Sequence, residues 1–124
     1  MGIDIYLDWD GMTEADKQAR YVGGYDITIG NTGYLREAYH GSPYATQYLL
    51  QEAFQSGNGE AHIPANILRE RLFDAVRLHI KRHKELYNED INFESPSAES
   101  IICFVELAER LEKAGKNPKV IASY

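Results

Sequence analysis

The residues best suited to chemistry lie in two short stretches. The first is Met1-Gly2-Ile3-Asp4-Ile5-Tyr6-Leu7-Asp8-Trp9-Asp10, where Ile3, Ile5, Leu7 and Trp9 alternate with Asp4, Tyr6, Asp8 and Asp10. A period of two marks a strand with one apolar and one polar face. The polar face here carries three carboxylates and a phenol. The second stretch is Tyr34-Leu35-Arg36-Glu37-Ala38-Tyr39-His40-Gly41-Ser42-Pro43-Tyr44. It reads as a short strand or helical turn running into a Gly-Ser-Pro loop. Loops rich in polar and aromatic groups on a rigid scaffold are where sites tend to sit. Arg36 can fork onto a phosphate or carboxylate. His40 can exchange a proton near neutrality. These residues define a predicted ligand site of Asp4, Tyr6, Arg36, Tyr39 and His40. The competing reading has the tyrosines plugging a sheet edge and Arg36 pairing with Asp4 or Glu37.

Three further patterns compete with this site. Leu7-Asp8-Trp9-Asp10-Gly11-Met12-Thr13 resembles the nucleophile motif of haloacid dehalogenase-type phosphatases, which ends a strand with two aspartates near a magnesium ion. That fold needs a parallel sheet with alternating helices, so Asp8 and Asp10 are read as strand-end and turn residues. His79 and His83 stand one helical turn apart, a spacing that can clamp zinc. No Glu follows His79, and a third ligand would have to come from His62, His40 or an N-terminal aspartate. Basic neighbours also oppose a cation, so the sequence assigns no metal and no cofactor. Residues 69–84 hold six cations against Glu70 and Asp74, a local charge of +4 in a chain of net charge −6. Such a run is a solvated helix face, a seat for a phosphate-bearing ligand or a docking face for an acidic strand.

The totals bound the function. One domain spanning residues 1–124 accounts for the length, and 44% hydrophobic with 26% charged residues is a globular composition. An acidic chain is a poor general nucleic-acid binder. The single cysteine, Cys103, leaves no disulfide framework. No apolar run approaches the ~18 residues of a membrane span. A cytoplasmic protein with no membrane partner fits these features. Nine tyrosines against four phenylalanines point to a wide cleft or an oligomer interface, and a homodimer is expected.

The elements that must position these residues follow in order. Thr13 caps a helix of one or two turns reaching Arg20. Tyr21 to Gly30 alternates weakly and reads as a second strand. Tyr44 to Phe54 is a short helix. The longest helix starts near Pro64 and runs to about Tyr87, with Leu68, Leu72, Val76, His79, His83 and Tyr87 on one stripe, widened by Ile67, Phe73, Ala75 and Ile80. Ser95-Pro96 opens the last helix, Gly115 ends it, and Lys119 to Tyr124 is a final strand. Strands segregated from helices give an α+β fold. The expected sheet has three or four strands, includes the N- and C-terminal strands, and is packed on one face by two long helices and a short one.

Met1-Gly2-Ile3-Asp4-Ile5-Tyr6-Leu7, taken with Gly33-Tyr34-Leu35-Arg36-Glu37-Ala38-Tyr39-His40-Gly41-Ser42, resembles a group of small uncharacterised bacterial and phage proteins. These open Met-Gly-x-Asp-Ile-Tyr-Leu and later carry Gly-Tyr-x-Arg-x-x-Tyr-x-Gly-Ser. The resemblance implies that Asp4, Tyr6, Arg36 and Tyr39 belong together, and it brings no activity with it. The leading expectation is a binding domain for a small anionic or nucleotide-like ligand. The alternatives are a small hydrolase or transferase using His40 with an N-terminal carboxylate, and a protein–protein interaction module built on the basic helix.

Overall fold

The computed structural model describes residues 2–22, 32–39, 41–55 and 59–124, with residues 20–22 described by backbone alone. The opening alternation forms strand β1 (Gly2–Asp8), with Ile3, Ile5 and Leu7 buried and Asp4, Tyr6 and Asp8 half-buried. β1 is an inner strand of a four-stranded antiparallel sheet. The other strands are β2 (Tyr34–Ala38), β3 (Glu60–Ala61) and β4 (Lys119–Ser123), in the order β2-β1-β4-β3. The N- and C-terminal strands pair as expected, with Ile5 opposite Ala122 and Leu7 opposite Val120. Gly2 lies against β2 so closely that a Cβ there would stand 2.7 Å from the Glu37 carbonyl oxygen.

The helices begin and end where local chemistry dictates. Helix α1 (Glu14–Val22) opens on a capping box. The Thr13 hydroxyl accepts from the Asp16 amide at 3.1 Å, and the Asp16 carboxylate accepts from the Thr13 amide at 3.0 Å. Those bonds to Thr13 hold the Asp16 carboxyl below its usual range. α1 runs on through Tyr21 and Val22, which overturns the strand expected from Tyr21; residues 23–30 of that expectation lie outside the described residues. The expected single helix over Tyr44–Phe54 is two, α2 (Ala45–Leu49) and α3 (Gln51–Gln55). They part at Leu50, whose φ of −120° and ψ of 36° leave the helical region.

The long helices match the sequence reading: α4 is Ala65–Tyr87 and α5 is Pro96–Lys113. α5 closes in a Schellman motif. The Lys116 amide donates to the Leu111 carbonyl and the Gly115 amide to that of Glu112, with Gly115 at φ +73°.

One apolar core joins the layers. Ile3, Ile5 and Leu7 of β1, Leu35 of β2 and Val120 and Ala122 of β4 meet Leu68, Leu72 and Val76 of α4 and Phe104, Val105 and Ala108 of α5. Phe104 has no exposed surface, and full burial of such a side chain stabilises by about 1.5–3 kcal/mol. α4 and α5 are also tied by the Arg69–Glu109 ion pair, and α4 holds α3 through Arg71 and Glu52 at 2.8 Å. Phe73, expected on the buried stripe, is 58% exposed, because its position on α4 faces away from the sheet. Tyr87, expected on the same stripe, is also exposed at the last turn of α4. Among the described residues no helix is long and apolar enough to cross a membrane.

Candidate functional site

Strand register brings three of the five predicted site residues onto one face. Asp4 lies opposite Arg36 and Tyr6 opposite Tyr34, on the side of the sheet away from the core. The Tyr34 hydroxyl donates to Asp4 Oδ1 at 2.5 Å. Arg36 Nη1 donates to Oδ1 and Oδ2 of the same carboxylate at 2.8 and 3.0 Å. Tyr6 stacks on Tyr34 with ring centroids 5.2 Å apart. Tyr34 is only 6% exposed. Burial, and then its hydrogen bond to the Asp4 carboxylate, push its phenol up to about 12. The phenol therefore keeps its proton at neutral pH.

Tyr34 is the member of this cluster absent from the predicted set. Its signal was available, since Tyr34 and Arg36 are two residues apart and share a face once β2 is a strand. Tyr39 lies beyond the end of β2 and is 47% exposed. His40 lies outside the described residues.

This cluster is a poor seat for an anion. The Asp4 carboxylate already matches the Arg36 charge, so a second anion there would meet a neutral pair. The segment that begins at Tyr34 does not fold over β1 as a loop; its first five residues are the neighbouring strand. The pairing of Arg36 with Asp4, one of the two sequence readings, is the one seen. Glu37, on the opposite face of β2, serves α2. Its carboxylate accepts from the Ala45 and Thr46 amides at 3.0 and 2.9 Å and from the Thr46 hydroxyl at 2.5 Å. Tyr44, the residue before α2, makes no side-chain cap, so a carboxylate from another element caps this helix.

A second assembly lies beneath β2. There β2, the start of α2, the C-terminal half of α4 and the start of α5 enclose a cleft of about 180 Å³. Leu35, Leu86 and Ile101 contribute apolar wall. Helical spacing places His79, Arg82, His83 and Leu86 on the one face of α4 that looks into it. α5 contributes Ser97 and Ser100, only 9% and 3% exposed. His79 Nε2 and Ser97 Oγ are 2.8 Å apart. The Arg82 guanidinium donates to the Gly41 carbonyl at 3.1 Å and to Glu85 at 2.8 Å, which pins it at the rim. His83 meets Glu89 at 3.1 Å and packs tilted against Tyr87, with ring centroids 4.8 Å apart.

The sequence reading named His79 and His83 only as a zinc pair or the edge of the core stripe. Their convergence with Ser97 joins positions far apart in the chain and has no local signal. His62, suggested as a third zinc ligand, lines a different hollow with Asp8, Asp10 and Asn117. Among the described residues no group of three or more His, Cys, Asp or Glu side chains could hold a metal ion. Among the described residues every strand pairing is antiparallel, which does not fit the parallel sheet that the aspartyl-phosphatase reading of Asp8 and Asp10 needs.

Set beside family models, curated proteins and solved structures, the chain matches none.

Proposed function

We propose that the protein is a binding domain for a small anion with an apolar body, and that the ligand enters the cleft between β2, α4 and α5. The observation that carries this reading is the composition of that one cleft. Its walls are largely apolar, while His79, His83, two buried serine hydroxyls and Arg82, whose partner Glu85 is 45% exposed and can yield to water where the half-buried Asp4 cannot, converge on it. A few placed polar groups in an apolar pocket are the usual make-up of a small-molecule site. Glu37 also lines it, but its carboxylate is engaged by three donors of α2.

Size narrows the ligand. A cavity of about 150 Å³ holds one benzene ring, and drug-sized ligands need about 300 Å³ or more. A space of about 180 Å³ suits a single ring or a short chain bearing a carboxylate or phosphate. A whole nucleotide would enter only in part. Thermal shift against a panel of small aromatic and aliphatic carboxylates and phosphates tests the reading. A stabilisation that vanishes in Arg82→Gln supports it, and a panel with no shift at millimolar ligand counts against it.

A second reading, self-association, rests on one observation. Phe73 and Phe93 stack with centroids 5.4 Å apart, both exposed, with the Arg77 guanidinium 5.6 Å from the Phe73 ring. Exposed aromatic patches of this kind mark interaction surfaces. This surface supports the proposal of a homodimer, read by light scattering of the wild type against Phe73→Glu.

A further inference from the structure

We propose that Ser97 and His79 are a nucleophile and its base, and that the cleft transfers the acyl group of a small carboxylate-bearing ester to Ser97 and then to water. The proposal rests on the reading of this cleft as a ligand site. Four observations support it. Ser97 Oγ and His79 Nε2 are 2.8 Å apart, within the reach that a base needs to take a hydroxyl proton. Both side chains line the cleft, so a bound carbonyl can approach them. Ser97 is the second residue of α5. Of its first-turn amides, those of Ser97 and Ala98 have no acceptor within the helix, since Pro96 has no N–H and the Glu99 amide donates to the Ser95 carbonyl. They are the kind of donors that stabilise an oxyanion, with the positive end of the helix dipole behind them. Finally, the Arg82 guanidinium lines the rim of the cleft, where a substrate carboxylate would compete with Glu85 for it.

The chemistry balances with water as the only co-reactant. Ser97 Oγ attacks the ester carbonyl while its proton passes to His79 Nε2. The tetrahedral intermediate collapses as the C–O bond to the alcohol breaks, and His79 returns the proton to the departing alkoxide. Water then attacks acyl-Ser97, His79 takes a proton from it, and the acid leaves as Ser97 regains its hydrogen. Nothing is oxidised or reduced. The hydrolase or transferase that the sequence offered as an alternative used His40 and an N-terminal carboxylate; the pair proposed here is carried by α4 and α5.

The test uses the full chain with two probes, mono-p-nitrophenyl succinate, an activated ester bearing a free carboxylate, for turnover and an alkyl fluorophosphonate for trapping. The expected result is a single phosphonyl adduct, mapped by peptide mass to Ser97, and ester turnover that His79→Gln lowers by about 10²–10⁴-fold. Ser97→Cys gives a second reading should other variants unfold: the new thiol reacts with iodoacetamide faster than Cys103. No adduct, an adduct elsewhere, or labelling unchanged in His79→Gln overturns the proposal. A wild type that still shows the anion-dependent thermal shift but takes no label leaves binding standing and removes the catalysis. Loss of both signals removes both readings.

Discussion

Raising the pH from 9 to 12 should destabilise the wild-type protein by about 2–3 kcal/mol more than its Tyr34→Phe variant. In the folded chain the Tyr34 phenol is 6% exposed and titrates at about 12, raised from 10 first by burial and then by the Asp4 carboxylate. In the unfolded chain it titrates at its ordinary value of about 10. Between these values the unfolded state loses the proton while the folded state keeps it. Stability therefore falls as pH rises, because the unfolded state binds fewer protons. The contribution is complete below pH 10 and lost by about pH 12. Two pKa units at about 1.36 kcal/mol each give about 2.7 kcal/mol. The other eight tyrosines and the lysines titrate in the same window, so the quantity to measure is a difference. Urea unfolding of both proteins at half-unit pH steps supplies it. The two stability curves should run in parallel to pH 9.5 and then converge as the wild type loses its advantage. Curves that stay parallel to pH 12 would refute the buried, carboxylate-bonded phenol.

Other perturbations have defined outcomes. Asp4→Ala leaves the half-buried Arg36 charge and the buried Tyr34 hydroxyl without the carboxylate that both bond, and should cost about 2–3 kcal/mol by chemical denaturation. Combined with Tyr34→Phe it should be non-additive by about 1 kcal/mol. Glu37→Ala removes the acceptor for two α2 amides and the Thr46 hydroxyl; a loss of about 1–2 kcal/mol is expected, with faster amide exchange at Tyr48 and Leu50. Phe73→Glu should change monomer stability by less than about 0.5 kcal/mol while abolishing any dimer seen by light scattering.

The parts of the fold that were legible in sequence are those with local causes. The β1 alternation, the Thr13 cap, the Ser95-Pro96 start and the Gly115 stop each act within a few residues. β2 was harder to read, because its five residues place Glu37 on the core side, where a carboxylate breaks the period of two. That carboxylate makes sense only once α2 arrives to use it. The break at Leu50 is set by packing, with no turn residue to announce it, and the two-residue β3 exists through its pairing with β4. The site divided in the same way. Strand periodicity placed Asp4 and Tyr6 on one face, the family resemblance joined Arg36 to them, and the three lie together. The cleft could not, since residues near 36, 46, 82 and 97 meet only through the packing of α2, α4 and α5 around β2.

What the cleft binds decides the function. Titrating isotopically labelled protein with benzoate, followed by amide chemical shifts, measures this directly. The prediction is saturable shifts concentrated in residues 35–38, 79–87 and 97–101, with affinity about tenfold weaker in Arg82→Gln. No saturable shifts, or shifts confined to β1 around Asp4 and Tyr6, would contradict it.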